Sequence, residues 1–111
     1  MNTITKEQLL EKTNRVRLYT MYSLLDRATK KMRGITANWD GTDLLIEMFF
    51  DCELTEDEEE EMQIANTEVV SDLYQEFKGM YLNLTVIKPS VSLYDKKGNL
   101  GWFYLRKEYA E

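Results

Sequence analysis

The stretch GITANWDGTDLLIEMFFD, residues 34–51, decides the fold. From Ile35 to Trp39 apolar residues alternate with polar ones, which is the two-residue period of a strand with one buried face. Asp40-Gly41 then provides a strong hairpin-turn signal. The return strand repeats the alternation, and its buried face is predicted to consist of Leu44, Ile46, Met48 and Phe50. The stretch therefore predicts an antiparallel β-hairpin.

A helix is predicted on the N-terminal side of this hairpin. Thr5 and Gln8 form a capping box, in which a hydroxyl and an amide three residues apart each accept a hydrogen bond from a free backbone N–H group. Apolar residues then recur at helical spacing, and basic residues crowd the last turns before Gly34. We predict one helix over residues 5–33, which Gly34 ends, with a break at Thr13-Asn14 as the alternative.

A second helix is predicted after the hairpin. Thr55 and Glu58 form another capping box at its start. Lys78-Gly79 is predicted to end it. Its apolar stripe is predicted to consist of Met62, Ala65, Val69 and Leu73. A single stripe of this kind indicates a helix that packs one side against the rest of the protein.

Alternation returns after the second helix. Residues 80–86 are predicted to form a strand, which Pro89 bends or ends. Residues 91–94 and 101–106 are predicted to be strands that flank a turn at residues 96–99. The order is α-β-β-α-β-β(-β). We therefore predict one α+β domain over the whole chain, with two layers, in which an antiparallel sheet of four to five strands packs against two helices.

Positive and negative side chains are segregated along the chain. The 111 residues carry a net charge of −6, but residues 1–33 carry +5, residues 34–77 carry −14 and residues 78–111 carry +3. The middle segment contains no lysine or arginine. Such asymmetry bears on the choice of partner and on association rates. The sign of the middle segment excludes direct nucleic-acid binding through it.

The composition excludes several kinds of site. The chain has no histidine and a single cysteine, Cys52, so an intramolecular disulfide and a Cys/His zinc site are both excluded. Cys52 is expected to be a small core residue. The sequence has no apolar run that fits a signal peptide or a membrane span, so we expect a cytoplasmic protein with no membrane partner. No cofactor and no metal are expected.

Six consecutive acids, Glu56–Glu61, begin the second predicted helix. The helix dipole favours acids in the first turn, which accounts for two or three of them, and the last three repel the first two at i,i+3 and i,i+4 spacing. A solvated helix face is one interpretation, and a face for a cationic partner is the other. The residues predicted to contact such a partner are Asp57, Glu58, Glu59, Glu60, Glu61, Glu68, Asp72 and Glu76, with Asp51 and Glu53 as flanking candidates.

Other functions fit the sequence less well. Residues 51–62 place acids at the first and third positions of a calcium loop, but Glu56 stands where glycine is needed and Met62 where a bidentate glutamate is needed. The sequence has no phosphate-binding glycine loop and no nucleophile–base motif, so we expect no enzymatic activity. Nucleic-acid binding stays open as an alternative at four basic residues, namely Arg27, Lys30, Lys31 and Arg33.

Four segments together resemble a known group of proteins. The pair Phe50-Asp51 leads into the acidic segment Thr55–Glu61, TEVVSD follows at residues 67–72, and GWFYLRKE closes the pattern at residues 101–108. This pattern resembles small bacterial immunity proteins encoded beside polymorphic toxins, including those of contact-dependent growth inhibition and colicin-like systems. The resemblance covers roughly residues 30–108.

The resemblance implies an α+β immunity protein that binds and inactivates a toxin domain without catalysis. Cys52-Glu53 departs from the family pattern, in which a glycine-bearing turn is expected at that place. A nuclease is the expected toxin, because its cleft must accept phosphates and an acidic protein can occlude a basic cleft. The alternative is a regulatory or structural subunit that forms homo- or hetero-oligomers through a sheet edge or the first helix, with an acidic face that is only solvated.

Overall fold

The computed structural model of the protein describes residues 3–107. The elements in chain order are α1 (Lys6–Ser23), β1 (Met32–Trp39), β2 (Asp43–Phe50), α2 (Glu56–Leu73), β3 (Gly79–Val86) and β4 (Trp102–Leu105). The strands form one sheet in the order β3-β2-β1-β4. The predicted α+β class and the element order α-β-β-α-β-β are therefore confirmed, with four strands in the described part of the chain.

α1 begins as predicted but is shorter. The Thr5 hydroxyl accepts a hydrogen bond from the N–H of Gln8 at 3.1 Å, and the N–H of Thr5 donates to the Gln8 side chain at 2.9 Å. The helix has no internal break and ends at Ser23, with Leu24 as its C-cap. The predicted end at residue 33 was wrong, because the basic residues that suggested a helix C-terminus bind other parts of the fold.

The β1–β2 hairpin forms as predicted. The Asp40 carboxylate accepts hydrogen bonds from the backbone N–H groups of Asp43 at 2.8 Å and Thr42 at 2.9 Å, and these bonds lower the pKa of Asp40 below its usual value. Gly41 has a φ of +103°, a conformation that glycine adopts without steric strain. The turn is therefore fixed by a carboxylate and a glycine that adjoin in the sequence.

Both helices and one face of the sheet share a single hydrophobic core. The predicted stripes are buried in it as a whole, namely Leu44, Ile46, Met48 and Phe50 of β2 and Met62, Ala65, Val69 and Leu73 of α2. β1 contributes Ile35, Ala37 and Trp39, and α1 contributes Val16. Burying one such large apolar side chain is worth about 1.5–3 kcal/mol, so the pattern that predicted these elements also provides their packing energy.

The sheet is mixed rather than wholly antiparallel as predicted. β3 pairs with β2 in parallel, with Gly79 opposite Asp43 at one end and Val86 opposite Phe50 at the other. α2 ends at Leu73, before the predicted end at Lys78-Gly79, and returns the chain to the end of the sheet where β2 begins. A strand that follows such a helical crossover runs parallel to the strand before it, and for this reason the prediction failed.

β4 lies beside β1, at the other edge of the sheet. Gly34 pairs with Leu105, and Ile35 pairs with Tyr104. Residues 91–94, which were predicted to form a strand, belong instead to an irregular segment between β3 and β4. The last residue of the GWFYLRKE pattern, Glu108, lies outside the described residues.

Trp102 packs on the face of the sheet that the helices do not cover. Its ring lies against Gly34, where an added Cβ atom would come within 2.8 Å of the indole. The ring also meets Phe49 edge to face, with 6.1 Å between the ring centroids. Gly34 was predicted to end a helix, but it lies in β1 and leaves room for an aromatic side chain.

Arg33 is an extra residue in β1. Met32 pairs with Phe50 and Gly34 pairs with Phe49, so Arg33 forms a β-bulge between them. Arg33 is 1% exposed, and its guanidinium donates hydrogen bonds to the carbonyl oxygens of residues 87, 88 and 91 at 2.9–3.0 Å. Arg33 therefore fastens the segment that follows β3 to β1.

Candidate partner-binding surface

The acidic start of α2 is held by its capping box. The Thr55 hydroxyl accepts a hydrogen bond from the N–H of Glu58 at 3.1 Å, and the N–H of Thr55 donates to the Glu58 carboxylate at 2.8 Å. Such a box is worth on the order of 1 kcal/mol and fixes the first turn of the helix. The acids that follow are therefore presented on a rigid backbone.

The Glu58 carboxylate forms its contacts with groups of the protein itself. Its carboxylate accepts hydrogen bonds from Lys31 Nζ at 2.6 Å and from the Thr29 hydroxyl at 3.1 Å, in addition to the N–H of Thr55. Lys31, the backbone N–H of Thr55 and the Thr29 hydroxyl together lower the pKa of Glu58 from 4.5 to about 2. Glu58 thus ties the start of α2 to the segment that precedes β1.

This pKa shift predicts a pH dependence of stability that a single substitution removes. Because folding lowers the pKa of Glu58, its contribution is present above about pH 5 and is lost as the pH falls toward 2. Glu58→Gln should retain the capping box, since Gln8 fills the equivalent position in the first turn of α1. We expect a smaller loss of unfolding free energy between pH 6 and pH 3 in this variant than in the native protein, as measured by urea denaturation.

Glu60→Gln is the matched control for this experiment. Glu60 lies on the same helix, is exposed and has no ion pair with any residue from 3 to 107. Its variant should show the native pH dependence. Equal pH dependence in the Glu58 variant and the native protein would contradict the assignment.

Arg27 forms ion pairs with two further acids of α2. Its guanidinium donates to the Glu61 carboxylate at 3.1 Å and to the Glu68 carboxylate at 2.8 Å, and hydrogen bonding to Glu68 raises the pKa of Arg27. The same guanidinium donates to the carbonyl oxygen of Ser23 at 2.9 Å. Arg27 therefore joins the end of α1 to the middle of α2.

Glu76, the last of the predicted contact residues, pairs with α1. Its carboxylate lies 2.6 Å from Arg15 and 3.3 Å from Lys12, and the hydrogen bond from Arg15 is the largest cause that lowers the pKa of Glu76. Lys12 Nζ also lies over the rings of Trp39 and Phe77, at 5.6 and 5.1 Å from their centroids. These contacts make Glu76 part of the packing between the helices and the core.

The flanking candidates differ from each other. Two hydrogen bonds lower the pKa of Asp51. The larger effect comes from the Cys52 thiol and the smaller from the Arg106 guanidinium, which lies 2.8 Å from the Asp51 carboxylate. Glu53 is exposed, and only its backbone carbonyl has a partner among residues 3–107, at 2.9 Å from Lys31 Nζ. Cys52 is exposed rather than buried as predicted, because β2 ends at Phe50, and hydrogen bonding to Asp51 raises the pKa of the thiol.

The structure thus divides the ten predicted residues into two groups. Those in intramolecular ion pairs are Asp51, Glu58, Glu61, Glu68 and Glu76. Those with no ion pair to any described residue are Glu53, Asp57, Glu59, Glu60 and Asp72, all of them exposed. Sequence reasoning missed this division, because the bases that pair with the first group are distant in sequence. We call Asp57, Glu59, Glu60 and Asp72 the free acids of α2.

The free acids are distributed around α2 rather than along one line. At about 100° per residue, Asp57 and Asp72 fall on the edge of the helix that carries Glu61 and Glu68, toward α1. Glu59 falls on the other edge, where it lines a small depression of about 80 Å³ together with Glu53. The predicted residues within α2 therefore form an acidic surface with two edges.

Four basic residues were candidates for nucleic-acid binding, and three of them form contacts within the protein. Arg27 and Lys31 pair with acids of α2, and Arg33 is buried. Across residues 3–107, acidic and cysteine side chains form no group of three that could hold a metal ion. Neither helix in that range is long and apolar enough to cross a membrane.

Comparison with known protein families gives a match. Residues 13–108 match the family described as MafI2 immunity protein. The matched range covers most of the chain and includes all four segments of the sequence pattern. No curated protein matches the chain.

Proposed function

Because the chain belongs to the MafI2 immunity protein family, we propose that it binds a cognate bacterial toxin domain and neutralises it through the acidic surface of α2. The proposed toxin is a nuclease of a contact-dependent growth inhibition or similar system. The proposed site of action is the cytoplasm, where a nuclease meets nucleic acid.

One observation carries the choice of surface. α2 contains eight acids and no base, and only three of those acids are paired with bases from elsewhere in the described chain. The others stay exposed on a capped helix, where their mutual repulsion lowers stability. A nuclease cleft accepts phosphates and is therefore positively charged. Binding such a cleft would relieve the repulsion and accelerate the encounter of the two proteins.

The ion pairs of α2 support a mechanism of occlusion without catalysis. Arg27 and Lys31 fix the helix to the rest of the protein, so the free acids occupy defined positions before the partner arrives. Preorganisation of this kind reduces the entropy lost on binding. The bound helix would cover the phosphate-binding cleft and exclude the substrate, and this requires no cofactor and no chemical step by the chain itself.

Growth rescue tests this proposal directly. The toxin domain encoded beside the gene is expressed in a bacterial host, alone and together with this protein. We expect arrest of growth by the toxin alone and near-normal growth when both are expressed. Nuclease activity of the purified toxin on DNA and RNA, with and without the protein, then tests the proposed chemistry.

The control is an unfolded version of the same chain. Leu44→Asp places a charge in the fully buried core and should abolish both folding and rescue. Failure of the native protein to rescue, when it is soluble and folded, would contradict the proposed function for that toxin. Rescue without inhibition of nuclease activity would contradict only the assignment of a nuclease.

A further inference from the structure

A second exposed surface lies near the C-terminal end of α1. Leu18, Tyr22 and Leu25 are 61%, 72% and 73% exposed. A shallow depression of about 530 Å³ on the outer side of the helix is lined by these three side chains together with Met21, Asn14 and Arg17. Leu18 and Tyr22 are one helical turn apart, and Leu25 follows in the turn after the helix, so their side chains adjoin. We call Leu18, Tyr22 and Leu25 the α1 patch.

The α1 patch is not explained by the fold. Single exposed apolar residues are ordinary, but adjoining ones with a tyrosine among them are characteristic of protein–protein contacts. Val16 already provides the contact of α1 with the core, on another side of the helix. The patch makes no contribution to that core, so its apolar side chains are available to a partner.

The α1 patch is continuous with the acidic surface. Tyr22 and Leu25 also line a neighbouring depression of about 420 Å³ between the two helices. The carboxylates of Asp26, Glu61 and Glu68 line that depression, together with one cation, Arg27. An apolar anchor therefore lies directly beside an excess of negative charge.

We propose that the α1 patch is the apolar anchor of the toxin-binding surface, and that it receives an apolar side chain flanked by lysine or arginine on the toxin. This inference rests on the proposed function and adds a second helix to the binding surface. The charge around the patch selects the occupant. Three carboxylates, Asp26, Glu61 and Glu68, stand against two cations, Arg17 and Arg27. Arg27 is shared between Glu61 and Glu68, and Asp26 has no ion pair with any residue from 3 to 107, so the surface keeps a net negative charge that a basic partner complements. A second copy of this chain is disfavoured, because a symmetric contact would place two surfaces of the same net negative charge against each other.

The two parts of the surface should act on different rate constants. Exposed charges act at a distance and raise the association rate, whereas well-packed apolar anchors slow dissociation. The α1 patch should therefore determine how long the complex lasts, with little dependence on salt. The free acids of α2 should determine how fast it forms.

The test is a double variant, Tyr22→Ala with Leu25→Ala, measured by biolayer interferometry. The probe is the toxin domain encoded beside the gene, co-purified with this protein, separated from it in denaturant and refolded. We expect the Kd to rise about 10- to 100-fold, mainly through faster dissociation, with an unchanged association rate. Both residues are mostly exposed, so the variant should fold, and circular dichroism checks this.

The matched control is Val91→Ala with Tyr94→Ala. These residues form the same kind of pair, 49% and 92% exposed, in the segment between β3 and β4. This variant should bind like the native protein. Native-like binding by the Tyr22/Leu25 variant would overturn the inference and leave the proposed function standing, since the native protein binds. Failure of the native protein to bind the probe would overturn both.

Sedimentation velocity tests the alternative occupant of the α1 patch, which is a second copy of this chain. We expect the native protein without toxin to be monomeric. A native dimer that becomes a monomer in the Tyr22/Leu25 variant, with toxin binding unchanged, would assign the α1 patch to a second copy of this chain and overturn the inference.

Discussion

Neutralising the free acids of α2 is expected to slow association with the toxin about 10- to 100-fold at low ionic strength. The variant changes Asp57→Asn, Glu59→Gln, Glu60→Gln and Asp72→Asn. These residues are exposed and have no ion pair within residues 3–107, so amides remove charge without breaking an internal contact. Glu58 and Glu61 are left intact, because Lys31 and Arg27 bind them.

The same association rates are then measured at increasing salt concentration. Screening between exposed charges increases as the Debye length falls from about 10 Å at 0.1 M salt to about 3 Å at 1 M. The association rate of the native protein should therefore fall steeply with salt and approach the rate of the variant. The dissociation rates of the two proteins should stay similar, and stopped-flow fluorescence measures both rates.

The matched control removes the same charge elsewhere. It combines Glu7→Gln, Glu11→Gln, Glu47→Gln and Asp95→Asn, which lie outside α2. This control changes the net charge equally, so a local acidic surface predicts that it binds faster than the α2 variant. Equal rates for the two variants would show that net charge alone matters and would contradict the proposed binding surface.

Among the polar side chains, Arg33 is expected to contribute most to stability. Arg33→Met should lower the free energy of unfolding by about 3 kcal/mol, because three carbonyl oxygens lose a charged donor and each such loss costs roughly 1–3 kcal/mol before relaxation. Methionine fills most of the space, so the loss reports the hydrogen bonds rather than a cavity. Urea denaturation followed by tryptophan fluorescence measures it.

Two variants control this experiment. Arg33→Lys keeps the charge but not the forked geometry that reaches several carbonyl oxygens, so it should fall between the native protein and Arg33→Met. Arg17→Met replaces an exposed arginine whose side chain bonds to Asn14, and it should change stability by less than about 0.5 kcal/mol. A loss below 1 kcal/mol in Arg33→Met would contradict the role given to Arg33.

Local patterns predicted the parts of the fold that depend on neighbours in sequence. The β1–β2 hairpin and both capping boxes are encoded within a few residues each, and the stripe from Met62 to Leu73 follows from helical periodicity. Strand pairing beyond the hairpin was not predicted correctly. The parallel direction of β3 and the position of β4 beside β1 depend on where helices and loops carry the chain, and no short pattern records this.

The predicted end of α1 was wrong for a related reason. Arg27, Lys31 and Arg33 are suitable residues for the C-terminal turns of a helix, and the local sequence allows that interpretation. Their partners are acids of α2 and carbonyl oxygens beyond β3, which lie far along the chain. The segregation of charge was interpreted as a face for a cationic partner. It did not predict that these opposite charges would pair within one molecule.

The same limit applies to the candidate site. Sequence identified an excess of acids in α2, and the structure shows that part of that excess holds the fold together. Tyr22 and Leu25 fall within the helix predicted over residues 5–33, and the sequence pattern did not distinguish them from its other residues. Their exposure follows from the early end of α1 and from the side of the helix that faces the core.

The position of β4 beside β1 has a consequence for the time the protein needs to fold. The contacts that close this edge join residues far apart in the chain: the Thr36 hydroxyl bonds to Gly101 across 65 residues, and Arg106 bonds to Lys30 across 76 residues. Contacts of such long separation require closure of most of the chain before they give any stabilisation, and they are typical of folding in milliseconds or slower. During synthesis, β1 keeps one unpaired edge until residues 101–106 have emerged, so a nascent chain exposes a strand that can pair with other chains.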